Sequence, residues 1–186
     1  MRTLTVFNSV SIDGYFTDDK GDMSWAHRSD PEWMAFSSEN AGGGGELLFG
    51  RVTYELMRSH WPTAQAAKDA PKVAEGMNRL PKVVFSRTLE KADWQNTRVV
   101  KGDLVAAVRR LKEEEGPPLV LMGSGTIVSQ LTRARLVDEY QVVLVPIVVG
   151  RGRTMFEGIE GKVNLKLKKS RPFKNGNVVL WYEPGT

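Results

Sequence analysis

Leu119-Val120-Leu121-Met122-Gly123-Ser124-Gly125-Thr126-Ile127 is the stretch on which the reading of this chain turns. Its apolar half has no polar alternation, the pattern of a strand buried on both faces, as in a mainly parallel sheet. The glycines that follow open a helix from Thr126 to Thr132, with Ile127 and Leu131 one turn apart. The same order recurs upstream in Leu47-Leu48-Phe49-Gly50-Arg51-Val52-Thr53-Tyr54. Each stretch leaves unpaired backbone N–H groups at a helix N-terminus, where phosphate binds favourably. Glycine there lets a ligand approach the backbone closely. Gly123-Ser124-Gly125 lacks the third glycine of the dinucleotide fingerprint, Val128 standing in its place.

Outward from these two units, strands and helices alternate. Residues 3–10 and 47–49, Lys82–Ser86, Leu119–Met122 and Tyr140–Val145 read as strands. Val73, Met77 and Leu80 share a helical face near 66–80, and Leu104, Val108 and Leu111 another near 103–113, stopped by Gly116-Pro117-Pro118. Asp30-Pro31-Glu32 has the N-cap, first-turn proline and first-turn acid of a helix start, which carries Trp33 and Phe36 inward and breaks at Gly42–Gly45. Alternating segments Val163–Arg171 and Asn177–Glu183 flank Phe173-Lys174-Asn175-Gly176, a hairpin signal. The expectation is an α/β domain over residues 1–186, mainly parallel with an antiparallel C-terminal hairpin.

Composition narrows the function classes. The 186 residues are 41% hydrophobic and 26% charged, the balance of a globular chain rather than a disordered or fibrous one. No apolar run nears the roughly 20 residues that cross a bilayer, and the first residues lack a signal peptide's apolar region, so a cytoplasmic location is expected. Cysteine is absent, which excludes disulfides and thiolate chemistry. The net charge of +4 is mild, and its densest cluster, Lys166, Lys168, Lys169 and Arg171, alternates with Leu165 and Leu167 as the wet face of a strand. No nucleic-acid partner is expected. The two histidines, His27 and His60, have no ligand partners at metal-binding spacing. Neither a G-x-S-x-G elbow nor a Walker loop occurs.

One further segment bears on ligand chemistry. Lys82-Val83-Val84-Phe85-Ser86-Arg87-Thr88 is an apolar strand ending in a hydroxyl and a guanidinium. Sequential α/β units bring strand ends to one sheet edge, where ligands gather. Arg51 and Arg87 there suit bidentate capture of a phosphate monoester.

Taken together, the stretches resemble the dihydrofolate reductase superfamily, and within it the branch containing the reductase domain of bacterial riboflavin-biosynthesis deaminase–reductases. Carrying the resemblance are Ser11-Ile12-Asp13-Gly14, Leu48 to Glu55, Val83 to Leu89, Met122 to Thr126, Leu136-Val137-Asp138-Glu139, and Val145 to Gly152 followed by Met155-Phe156. The resemblance implies a three-layer α/β/α fold that binds NADPH. It places Gly50, Arg51, Val52 and Thr53 at the pyrophosphate and adenosine-side phosphate, Ser86 and Arg87 at the 2′-phosphoadenosine, and Gly123, Ser124, Gly125, Thr126 and Ile127 at the pyrophosphate. Hydride would pass to a small heteroaromatic or carbonyl substrate. The alternatives are 5-amino-6-(5-phosphoribosylamino)uracil as substrate and a nucleotide-binding protein without turnover.

Gly21 to Trp25 and Pro31 to Phe36 resemble two neighbouring motifs of folate reductases, which makes Trp25 and Trp33 the substrate-side candidates. The superfamily's substrate-binding acid falls at Trp33, which implies a substrate other than dihydrofolate. Trp33 is either core or a stacking surface for a flat ring. Asp13 is the acid nearest the expected nicotinamide end. It is either a proton donor, needing a pKa far above about 3.9, or a turn former with Gly14, water then supplying the proton. The apolar strand Val178–Tyr182 near a sheet edge, and the habit of that branch, imply a homodimer through the C-terminal hairpin.

Overall fold

A computed structural model describes residues 1–185. An eight-stranded sheet runs through it, built from β1 (Leu4–Ser11), β3 (Glu46–Gly50), β4 (Lys82–Phe85), β5 (Thr97–Val100), β6 (Leu119–Met122), β7 (Glu139–Val145), β9 (Leu165–Pro172) and β10 (Val178–Pro184). Its order is β5-β4-β3-β6-β1-β7-β10-β9. The strands from β5 to β7 are parallel, and β10 and β9 are antiparallel additions. A separate antiparallel pair, β2 (Tyr15–Asp18) with β8 (Gly152–Thr154), stands beside the end of β1.

Alternation along β1 separates two layers of helix. Leu4, Val6 and Val10 turn to one face and pack with Val108 and Leu111 of α5 (Leu104–Glu113) and with Ile127, Val128 and Leu131 of α6 (Gly125–Arg133). On the other face, α1 (Pro31–Gly42) packs through Phe36 onto Val143, Val145, Phe173 and Val179. Alongside it, Tyr54 of α2 (Arg51–His60) and Met77 of α4 (Pro71–Arg79) cover Leu47, Phe49 and Val84. Each buried leucine, valine or phenylalanine contributes about 1.5–3 kcal/mol by leaving water, so the apolar strands fix both layers. This three-layer α/β/α arrangement is the one anticipated.

Several local expectations need correction. The helical pattern near 66–80 is two helices, α3 (Ala64–Asp69) and α4, because Pro71 cannot continue the first and instead starts the second. Strand β5, unmarked by periodicity, is a four-residue sheet edge held by parallel pairing with β4. The C-terminal strand β10 does lie near the edge as expected, one strand in from it: it is paired on both sides, and lysine-rich β9 forms the boundary. There Lys168 pairs with Glu139 at 2.9 Å and Arg171 with Glu32 at 3.4 Å. The N-cap at Asp30 is as expected, its carboxylate accepting the Trp33 N–H at 2.9 Å.

At the amino-terminal edge, buried Lys82 donates to the carbonyls of Asn78 and Leu80 at the end of α4, and desolvation pushes its ammonium down to about 8. No described helix is long and apolar enough to cross a membrane.

Candidate functional site

The chain passes from β1 over β6 to β3, runs outward to β4 and β5, and returns to place β6 between them before β7 follows on the far side of β1. This reversal makes the carboxyl edge around β3, β6 and β1 a switch point, where α/β sheets open a crevice. A cleft of about 860 Å³ lies there and continues down the sheet face beneath α1.

Two strand-to-helix turns form one end of the cleft. Gly50 is the N-cap of α2 and Ser124 that of α6, and neither helix start is closed by a side-chain cap. Apart from that of Ile127, which donates to the Ser124 carbonyl at 3.0 Å, their first-turn N–H groups remain available to an acceptor. The turn between β6 and α6 is tightly held. Gly123 has φ +68° and Ser124 φ +52°, two successive residues in the left-handed region. The Gly123 N–H donates to Asn8 Oδ1 at 2.8 Å, and Asn8, itself buried, donates from Nδ2 to Met155 Sδ at 3.2 Å. A Cβ on Gly123 would lie 2.6 Å from Thr53 Oγ1, and one on Gly50 2.6 Å from Ser124 Oγ, so the two turns approach each other as closely as glycine allows.

Gly50, Arg51, Val52 and Thr53 thus share one cleft with Gly123, Ser124, Gly125, Thr126 and Ile127, the grouping the sequence indicated. Arg51 is half-exposed and holds Glu55 through its Nη1 at 2.9 Å. Ser86 and Arg87 follow cleft-lining Phe85 at the end of β4 but are not themselves part of the wall. The Ser86 hydroxyl oxygen accepts the N–H groups of Thr88 and Leu89, and the exposed Arg87 guanidinium makes no ion pair among the described residues. They are rim groups within the same sheet edge.

Asp13 departs from the proton-donor expectation. It accepts the Ser11 hydroxyl at 2.6 Å, the Val149 N–H at 3.1 Å and the Gly150 N–H at 2.7 Å. The Ser11 hydroxyl first, then these backbone donors, hold the carboxyl down at about 2, the reverse of what donation near neutral pH requires. Asp13 is not in the cleft wall and ties the loop after β1 to the loop after β7. Trp25 also departs: Met23, Ala26 and His27 line the cleft, while Trp25 packs toward the cluster around Phe36 and donates from Nε1 to the Asp22 carbonyl.

Trp33 lies between its two alternatives, at the border of the core and the cleft. Its ring lies 5.3 Å from that of Phe36 and 5.1 Å from that of Phe173, yet the residue is only partly buried and forms part of the cleft wall. Beneath α1 the floor is the face of β1 and β7 that carries Thr5, Phe7, Ser9 and Gln141. Sequence reasoning missed Asn8 and Gln141. The signal available for each was a polar amide beside apolar residues within a strand.

The fold is an α/β domain of the dihydrofolate reductase type, with the cleft at the carboxyl edge of its sheet. Residues 2–179 match the family model of the RibD C-terminal domain, and the chain belongs to that family of reductase-like domains. The Bacillus subtilis (strain 168) protein YyaP is 26% identical over 181 residues, which are 97% of this chain and 94% of that protein. A Shewanella sp. PV-4 protein whose name places it in riboflavin biosynthesis has a structure similar over 100% of both chains, with TM-score 0.74 and 22% identity.

The Thermotoga maritima diaminohydroxyphosphoribosylaminopyrimidine deaminase/5-amino-6-(5-phosphoribosylamino)uracil reductase matches with TM-score 0.72 and 16% identity, over 99% of this chain and 57% of its own. Dihydrofolate reductase from Enterococcus faecalis, in complex with NADP(H), matches with TM-score 0.65 and 14% identity over 99% and 97% of the two chains.

Proposed function

We propose that this protein is an NADPH-dependent reductase of a small heteroaromatic or carbonyl substrate. The observation that carries the reading is the convergence of two uncapped helix N-termini, entered through Gly50 and through Gly123-Ser124-Gly125, on one cleft that continues beneath Trp33. The glycine-lined turns suit a pyrophosphate, because glycine lets the two uncapped helix starts come this close and aim their N–H groups at one cleft. Arg51 and Arg87 at the rim would hold a 2′-phosphate through charge-assisted hydrogen bonds, Ser86 adding its hydroxyl proton. Bound in this way, the cofactor supplies hydride from its nicotinamide ring.

The protein's own contribution is placement. Trp33 offers an aromatic wall to a flat ring, and Phe7 and Met122 bound the same space. Asp13, ionised and engaged, keeps the loops after β1 and β7 together. Of the carboxylates in the cleft wall, Glu139 is paired with Lys168 at 2.9 Å and Asp69 accepts from Gln65 at 2.8 Å. Water then delivers the proton that follows hydride. The absence of a carboxylate at Trp33 disfavours dihydrofolate.

A second substrate reading is 5-amino-6-(5-phosphoribosylamino)uracil, favoured by Arg28 and Arg153 in the cleft wall, which suit a phosphate-bearing tail. Steady-state NADPH oxidation separates these readings. Turnover with that uracil supports the second, turnover confined to carbonyl or other heteroaromatic compounds supports the first, and saturable NADPH binding without turnover on any of them makes the protein a nucleotide binder.

The same proposal includes a homodimer formed through the C-terminal hairpin. Strand pairing would fall to the free edge of β9, since β10 is already paired on both sides. A monomeric mass by light scattering at micromolar concentration would refute it.

A further inference from the structure

Gln141 occupies a position that folding alone does not explain. In the sheet it lies level with Phe7 on one side and Trp181 on the other, and Phe7 lies level with Met122. Residues in register across a sheet share a face, so a carboxamide sits in a row of methionine, phenylalanine and tryptophan under α1. Gln141 is 8% exposed, yet its side chain makes no hydrogen bond with any described residue, and its open side is the cleft. Its amide atoms are therefore unpartnered by protein but open to the cleft, where a ligand can reach them, whereas leucine would suit the apolar row equally well and offer a ligand no polar group. Thr5 and Ser9 flank Phe7 on the same strand face. They line the same floor, and neither hydroxyl has a protein partner among the described residues.

We propose that Gln141 is the specificity-determining residue of the cleft, its carboxamide pairing with a neutral ring edge that carries a carbonyl beside an N–H. A carboxamide presents one donor and one acceptor side by side, the complement of a lactam or imide edge. It offers a poor match to an amidine-like edge, which presents donors alone when protonated and calls for a carboxylate. Among the described residues, the only carboxylate on that stretch of floor, Glu139, is engaged by Lys168 at 2.9 Å. Thr5 and Ser9 are placed to take the remaining polar atoms of the ring, with Trp33 as the wall across from them. The inference rests on the reductase reading for the purpose of the site, though the recognition itself requires only the cleft.

The test uses a matched pair of probes, lumazine (pteridine-2,4-dione) and 2,4-diaminopteridine. Each is titrated against the full chain by calorimetry, with and without saturating NADPH, for the parent, Gln141→Leu and Gln141→Glu. The parent should bind lumazine at least tenfold more tightly than the diamine. Gln141→Leu should lose at least tenfold in lumazine affinity, with NADPH affinity within twofold of the parent and a melting temperature unchanged or raised. Gln141→Glu should reverse the order of the two probes.

Undiminished lumazine binding by Gln141→Leu would overturn the proposal, as would a parent that binds neither probe. A Gln141→Leu chain that unfolds, or that loses stability together with all binding, would show a structural amide and overturn it as well. Failure of the parent to bind NADPH, with the lumazine pattern intact, would sink the cofactor reading and leave this one standing.

Discussion

The two ends of the cleft are built from different material. The end proposed to hold phosphate is backbone: Gly50 and Gly123 to Gly125 present helix N-termini, and its side chains mainly keep those turns in place. The end proposed to take substrate is side chain: Trp33 from α1, Phe7 and Ser9 from β1 and Gln141 from β7 meet only because the sheet brings them together. A backbone site tolerates little change in shape and is indifferent to much change in chemistry. A side-chain site has the opposite property, and perturbations should separate the two ends accordingly.

The largest effect is expected at the phosphate end. Gly123→Ala places a methyl group 2.6 Å from Thr53 Oγ1 at a residue with φ +68°, which costs about 1–2 kcal/mol for the backbone alone and moves the turn. NADPH affinity should fall about 100-fold, a loss of ~2.7 kcal/mol, read by calorimetry. Gly14→Ala is the control, since φ is +88° there but the space is open. It should lower the melting temperature and leave affinity nearly unchanged. Equal effects of the two on affinity would erase the distinction.

Replacing Arg51 and Arg87 together by alanine should cost NADPH at least tenfold and NADH almost nothing, because charge-assisted hydrogen bonds contribute about 1.5–3 kcal/mol each. Parallel losses for both cofactors would move the arginines away from the 2′-phosphate.

At the other end, Trp33→Ala should raise KM several-fold and leave NADPH affinity within twofold. It should also destabilise the chain by ~3 kcal/mol, the lower part of the range for a large aromatic, since Trp33 is shared between the Phe36–Phe173 cluster and the cleft. Trp33→Asp should gain no dihydrofolate turnover, because the rest of the floor carries amide and hydroxyl groups rather than a folate site's acid.

The smallest effect separates Asp13 from both ends. Its folded carboxyl titrates at about 2 against an ordinary 3.8, so between those values the unfolded chain binds more protons than the folded one. Its contribution to stability is complete above pH 3.8 and is lost as pH falls toward 2. The difference in melting temperature between the parent and Asp13→Asn should be constant above pH 4.5 and shrink below pH 4. A constant difference down to pH 2 would contradict the assignment of Asp13 as an ionised tie between loops.

The same contrast decides which parts of the molecule are legible in its sequence. Backbone sites write themselves into local sequence: a strand, a glycine and a helix are consecutive, so Gly50 to Thr53 and Gly123 to Ile127 stand out as units, as does the Asp30 cap. The side-chain end is assembled from segments more than a hundred residues apart, Phe7 and Gln141 among them, and no local pattern reports that they are neighbours. Asp13 misleads because an acid in Asp13-Gly14 carries no mark of its partners Val149 and Gly150. The strand pair β2 and β8 is invisible for the same reason, each member being short and stabilised only by the other. Trp25 and Trp33 carry equal weight in sequence, and only the packing of α1 against the hairpin separates them.

The most direct test of the account is a calorimetric titration of the unaltered chain with NADPH and with NADH. It predicts one saturable NADPH site per chain, bound at least tenfold more tightly than NADH. No saturable binding of NADPH, or equal affinity for the two cofactors, would contradict it.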